Sequence, residues 1–369
     1  MICDNMSMLI EQKIFYEEKI MKEKVQNRIT IAGYLKENNL EERTDKNGQA
    51  VIRGSLTVAF DATDSIRINV YVSQYTNSGK ENKAYASLCA MLPQNTMSIK
   101  NLLESDGSAT FETVKNAATK VVAYCEFSER AWINSQTGKE QSTVQISLCR
   151  YFDSIHKPTD ESKFDIGASF VVDMYIESMR PEMAKNADGE MEETGRYIVV
   201  GLTPDFRKMM HRIEYVTEAG AVSEYVADNW RVGESVYATG MYHNLRKVVE
   251  KPDAQAGFGQ PTGNNTVTTF VEERLIRGGS QHSIDANDGL ETAGFTTEDA
   301  KVGLQLRAEA IQKNAESYAA RSGAETTAAA TPAATPKATK DFGFGNDMGS
   351  GFGSTTNTAA SAGFDPSKF

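Results

Sequence analysis

Residues 65–73, SIRINVYVS, alternate apolar and polar side chains without a break. Successive side chains leave opposite faces of a strand, so Ile66, Ile68, Val70 and Val72 turn toward a core while Arg67, Asn69 and Tyr71 turn away. No helical period fits that spacing, and a half-buried β-strand follows. The preceding run, AVIRGSLTVAF, has the same period, with Ile52, Leu56, Val58 and Phe60 inward and Arg53, Ser55 and Thr57 outward. Two adjacent strands therefore share a basic, polar and aromatic outer face.

Before them, VQNRITIAGYL places Val25, Ile29, Ile31 and Leu35 on one face, and the polar run ERTDKNGQ reads as a turn whose Asn47-Gly48 pair suits left-handed backbone. After them, a helical stretch over about 83–104, broken at Pro93, leads to two further strands, KVVAYCEFSERAWI and STVQISLCRYF, joined by the turn NSQTGKEQ. Three strands, a helix and two strands is the order of the OB barrel, whose outer face around the second and third strands binds oligonucleotides.

The order recurs. ASFVVDMYIESM and TGRYIVVGL are the first two strands of a second module, FRKMMHRIEYV a third, AGAVSEYVADNW a short helix, and VGESVYATGMYHNLRKVVE and NTVTTFVEERLI the last two. The fold class expected is mainly β: two tandem five-stranded OB-fold-like barrels with short helices, then an amphipathic helix and a disordered C-terminal tail. The segments are a leader or helix over 1–23, a first barrel over 24–156, a second over 164–282, a helical segment over 283–322, and a tail over 323–369. In the helical segment the apolar positions are Val302, Leu304, Leu306, Ala310 and Ile311, with acids early and bases late. The tail opens with an Ala/Thr/Pro-rich linker too poor in apolar residues to fold, and is then Gly-rich and punctuated by Phe342, Phe344, Phe352, Phe364 and Phe369. Translation could start at Met1 or at Met21, which opens a Lys-rich run before the first strand.

The net charge of −11 opposes binding of nucleic acid through overall basicity. It demands instead that cations gather on one face. Arg53, Arg67 and Tyr71 do so by alternation, a cation facing phosphate and a ring stacking on a base. Tyr75, Lys80 and Lys83 in one rim segment, and Arg130, Trp132 and Lys139 around the last hairpin of the first barrel, extend the set. Trp132 reads either as a stacking residue or as a partly buried core residue beside Phe127. In the second module the basic and aromatic candidates are Arg196, Arg207, Lys208, Arg212, Tyr242, Arg246 and Lys247.

The runs NRITIAGYL, IRINVYVS, GKENKAYASL and GESVYATG resemble the OB strands of single-stranded DNA-binding proteins of bacteria and their phages. That resemblance makes GESVYATG a fourth barrel strand and the end of the chain, GFDPSKF, a docking peptide formed by Phe364, Asp365, Pro366 and Phe369. The bacterial members of that family usually have one module and a strongly acidic tip, whereas this chain has two modules and Lys368 beside Asp365 as the only nearby acid. A phage or mobile-element member that docks on its own replication or recombination proteins fits this pattern. The expected partners are single-stranded DNA, those proteins, and conceivable further copies of the chain; the alternatives are a β-barrel assembly protein of a virion and an RNA-binding module.

Catalytic motifs are missing: the sequence holds no G-x-x-x-x-G-K-[ST], G-x-S-x-G or H-E-x-x-H, and GFGQPTG lacks the lysine of a phosphate loop. Cys3, Cys89, Cys125 and Cys149, and His156, His211, His243 and His282, are spread singly, which suggests neither disulfides nor zinc. No enzyme activity, cofactor or metal is expected. No run of about eighteen apolar residues occurs, and the first twenty residues mix charges into the apolar positions, so a cytoplasmic protein with no membrane partner is expected, in the bacterial host if phage-encoded.

Overall fold

The computed structural model describes residues 26–150, 152–160, 164–186, 189–205, 207–250, 266–281 and 294–322. Two sets of strands each close into a five-stranded barrel. In the first, β1 (Asn27–Asn38), β3 (Ala50–Ala59), β4 (Ser65–Ser73), β5 (Lys120–Ile133) and β6 (Glu140–Leu148) run in the order β1-β3-β4-β6-β5, and β5 closes the ring against β1. All pairs are antiparallel except β4 with β6, which meet in parallel at Asn69 and Ser147. Between β4 and β5 lie the helices α1 (Lys83–Cys89), α2 (Ile99–Ser105) and α3 (Phe111–Val114). This is OB topology.

The second barrel repeats it with β8 (Gly167–Lys185), β9 (Met191–Pro204), β10 (Met210–Thr217), β11 (Ser235–Glu250) and β12 (Thr266–Gln281), with α4 (Ala221–Asn229) between the third and fourth strands. Its order is β8-β9-β10-β12-β11, closed by β11 on β8, and its one parallel pair is β10 with β12. GESVYATG, Gly233–Gly240, enters β11, the fourth strand of this barrel. A two-residue strand, β7 (Ile155–His156), lies against β5 on the way from one barrel to the other.

Alternation explains the core. Ile52, Leu56, Val58, Ile66, Ile68, Val70 and Val72 are all buried, as are Ile29, Ile31 and Leu35 of β1. Val25 lies outside the described residues. The expected turn ERTDKNGQ is partly a strand: β2 (Glu41–Thr44) pairs with β3, and the turn proper tightens at Gly48 with φ 79°. In that pairing Glu41 stands opposite Arg53 and Arg43 opposite Val51. Cys125 is fully buried, while Cys89 and Cys149 are partly so.

The barrels are joined through their first strands. β1 and β8 pair antiparallel from Asn27 opposite Val172 to Ala32 opposite Gly167. Antiparallel pairing of the same strand from each barrel relates the two by an approximate twofold. The core is continuous across this seam, where Phe127 of the first barrel lies 5.8 Å from Phe170 and 6.1 Å from both Tyr215 and Tyr242 of the second, centroid to centroid. At one side of the seam the buried Asp64 accepts hydrogen bonds from His243 Nδ1 and from the Asn244 backbone N–H, both at 2.9 Å.

The last helix, α5 (Thr297–Ser322), packs on β5 and β10. Its buried line is Ala300, Gly303, Arg307 and Ile311, with Leu304 half-buried. That line differs from the apolar positions expected: Leu306 is exposed, and a charged residue, Arg307, is buried where the helix meets the first barrel. No described helix is long and apolar enough to cross a membrane.

Candidate nucleic-acid interface

The outer face of the first barrel is set by the register of β3 on β4. Arg53 stands opposite Tyr71, and Thr57 opposite Arg67. Tyr71 is 51% exposed because its neighbours Val70 and Val72 take the inward positions. Arg67 is exposed for the same reason. The face continues across the parallel bridge from Asn69 to Ser147, whose hydroxyl lies 3.1 Å from that of Ser128 on β5. From Ser128, alternation leads along β5 to Arg130 and Trp132, opposite Thr143 and Gln141. Both are exposed, Trp132 at 39%. The indole leaves the strand on the face opposite to Phe127, so it is not part of the core beside that ring.

One polar surface with a ring at each end therefore spans β3, β4, β6 and β5. Its rim holds the 42%-exposed Tyr75, fixed by a bridge to Glu81 and by Gln49 Nε2, which donates to the Tyr75 carbonyl at 2.8 Å. Lys80 and Lys83 are exposed just beyond, Lys83 opening α1 after the cap Asn82. Lys139 is exposed in the β5–β6 turn, where Gly138 takes φ 66°.

Acids temper part of this face. Arg53 donates to Glu41 at 2.8 Å, and Glu41 also takes Arg43 at 2.8 Å. Those hydrogen bonds, from Arg43 and then Arg53, hold the Glu41 carboxyl below the usual glutamate range. Lys100 holds Glu37 in the same way at 2.7 Å.

The second-barrel candidates are not gathered into such a face. Arg196 is clamped by Glu182 at 2.7 Å and Glu273 at 2.5 Å, which raises its pKa further. Arg212 makes a two-point contact with Glu177 at 2.6 and 2.5 Å. Tyr242 is 4% exposed and faces inward with Val236 and Ala238, its ring capped by Arg274 at 5.4 Å. It therefore offers no face to solvent, and its even-numbered place beside those two residues was the signal for that. Arg246 is exposed, and its backbone N–H donates to the Thr63 carbonyl at 2.9 Å. Lys247 follows it on β11, opposite Thr269. Arg207 and Lys208 lie in the β9–β10 turn, Lys208 with a positive φ of 65°. Phe364, Asp365, Pro366 and Phe369 lie outside the described residues.

Sequence reasoning also passed over Ser128, Gln145 and Ser147, the small polar groups that make the face continuous. Ser128 shares the parity of Arg130, and Gln145 and Ser147 alternate with the buried Ile146 and Leu148, which would have found them.

A family model described as YorF matches residues 26–317, a span that takes in both barrels and most of α5. The chain belongs to the YorF family. No curated protein matches this YorF-family chain. Among solved structures it is similar to the wild-type single-stranded DNA-binding protein from Thermus aquaticus, with 11% identity, a TM-score of 0.36, and coverage of 71% of this chain and 96% of that one. A deletion mutant of the same Thermus aquaticus protein matches with a TM-score of 0.35 at 11% identity, with 71% and 96% of the two chains covered.

Proposed function

We propose that this YorF-family protein binds single-stranded DNA without strong sequence preference, in DNA replication or recombination of the phage type. The observation that supports this most directly is Tyr71. It is an exposed ring held on the outer face of the second and third strands of an OB barrel, across from Arg53 and four residues along its strand from Arg67. Oligonucleotides bind that face of OB barrels. A base stacked on Tyr71 or Trp132 gains about 1–3 kcal/mol whichever base it is, since every base has a π-face. Arg67 and Arg130 supply charge for the backbone between the rings, and Lys80 and Lys83 extend it at the rim. This local track reconciles DNA binding with a net charge of −11. In the same reading the Phe- and Pro-containing end of the chain, Phe364, Asp365, Pro366 and Phe369, docks a replication or recombination protein, as short apolar peptides flanked by charge do.

The test is a titration of the full chain with labelled oligo(dT), a matched duplex and oligo(U) at two salt concentrations. Preference for the single strand, with affinity falling as salt rises, is the expected result. Equal binding to all three, or none, overturns the reading.

A further inference from the structure

The two barrels can be superposed residue by residue from their registers. Each first strand skips one residue against its second strand at the same place: Lys36 between Leu35 and Glu37, and Glu177 between Ile176 and Ser178. Glu37 then pairs with Thr57, and Ser178 with Val200, which makes Thr57 and Val200 equivalent. Carried on to the third strands, Thr57 faces Arg67 and Val200 faces Glu214. The parallel pairings agree with this alignment, Asn69 meeting Ser147 and Val216 meeting Leu275. An ion pair confirms it as well, since Arg53 with Glu41 occupies the same positions as Arg196 with Glu182.

This alignment exposes an inversion. Where the first barrel has Arg67, the second has Glu214; where it has Asn69, Val216; where it has Tyr71, Glu218. Both glutamates are solvent-facing, with side-chain exposures of 56% and 42%. Arg180 approaches Glu214 at 3.8 Å and Arg277 approaches Glu218 at 3.2 Å, so nearby cations are already committed to these carboxylates. A phosphate brought to this face meets acids in place of Arg67 and finds no ring in place of Tyr71.

We propose that the single strand is held on the outer face of the first barrel alone, and that the corresponding face of the second barrel is built to exclude it. The inference rests on the DNA-binding reading above. One chain then presents one OB-sized site, about 4–16 nucleotides, although it contains two barrels. The approximate twofold of the fold is broken at the level of charge, so the bound strand ends at the seam and does not wrap both barrels.

Residue exchange between the barrels tests this in the full chain, by anisotropy of labelled oligo(dT) of graded length, with circular dichroism to check folding. The double variant R67E/Y71E, which gives the first barrel the residues of the second, is expected to weaken binding at least tenfold at every length. R180Q/R277Q, in the second barrel, is expected to leave affinity within twofold. The converse exchange E214R/E218Y is expected to tighten binding of long oligonucleotides while leaving short ones unchanged. Wild-type binding that weakens equally with R180Q/R277Q, or that survives R67E/Y71E, overturns the one-sided site while the DNA-binding reading stands. A wild-type chain that binds no single strand overturns that reading itself.

Discussion

Arg307 of the last helix reaches Glu129 of the first barrel with both ends of its guanidinium, Nε at 2.8 Å and Nη2 at 2.6 Å. The Glu129 side chain is 1% exposed and that of Arg307 7%, and Arg307 also bonds Glu140 at 2.6 Å. A helix that follows the second barrel is thereby anchored to the last hairpin of the first, the hairpin that carries Arg130 and Trp132. Removing one member of a buried pair leaves the other charge without compensation, at about 3–5 kcal/mol. Arg307→Ala is therefore expected to destabilise the folded chain by about that amount, read from the urea midpoint, and more than Lys301→Ala, whose contact to Glu298 is 3.7 Å and exposed.

The same pair sets an acid dependence. Burial pushes the Glu129 carboxyl up, but the Arg307 hydrogen bonds, the Arg212 backbone N–H and the Ser142 hydroxyl together hold it below its ordinary value. With the folded pKa depressed, the pair's stabilisation is fully present above the unfolded glutamate value of about 4.3 and is lost as pH falls through the folded pKa. The stability difference between wild type and Glu129→Gln should then be largest near neutral pH and shrink below about pH 4. A difference that grows in acid would contradict the assigned sign.

At the interface, Tyr71→Ala combined with Arg67→Ala removes a stacking ring and a cation from exposed positions. Loss of one stacked base, about 1–3 kcal/mol, corresponds to roughly a 5- to 150-fold rise in Kd for oligo(dT). The melting temperature should hold within a few degrees because neither side chain enters the core. A large fall would mean that the two residues support the barrel and not a ligand.

The residues that were legible are those for which alternation alone decides the face. Ile66, Ile68, Val70 and Val72 against Arg67, Asn69 and Tyr71 needed no partner strand to be sorted. Tyr242 obeys the same parity, yet its strand mixes Thr239, Met241 and His243 with Ala238 and Gly240, so apolar and polar positions do not separate by eye. Arg196 and Arg212 look like surface cations in the sequence because their acids come from other strands. Glu273 lies 77 residues from Arg196, and Glu177 lies 35 from Arg212. Arg307 was missed for a related reason. A helix face is read from apolar spacing, and a buried ion pair supplied from a hairpin 178 residues earlier leaves no trace in that spacing.

Gly240 tests the closure of the second barrel. A Cβ at this position would sit 2.0 Å from the Leu275 carbonyl oxygen and 2.5 Å from Cζ of the Phe170 ring, so β11 can approach β12 and the seam only without a side chain. Overpacking of this kind costs about 1–3 kcal/mol. Gly240→Ala should lower the melting temperature by several degrees, and Gly107→Ala, with nothing within 4 Å of its Cβ, should not.

Salt separates the two kinds of contact on the first-barrel face. Each phosphate neutralised on a single strand contributes a slope of about −0.7 to log K against log salt, because a condensed counterion is released. Arg67→Ala should therefore flatten that slope by about 0.7, with its affinity loss greatest at low salt and fading as salt rises. Tyr71→Ala removes stacking, which releases no counterion, so its curve should run parallel to wild type at lower affinity throughout. If both variants flatten the slope alike, Tyr71 also positions a neighbouring cation on its phosphate, since a neutral side chain releases no counterion by itself. If neither does, the cations that meet the backbone lie elsewhere on the rim, at Lys80, Lys83, Arg130 or Lys139, where single alanine substitutions would recover the missing slope.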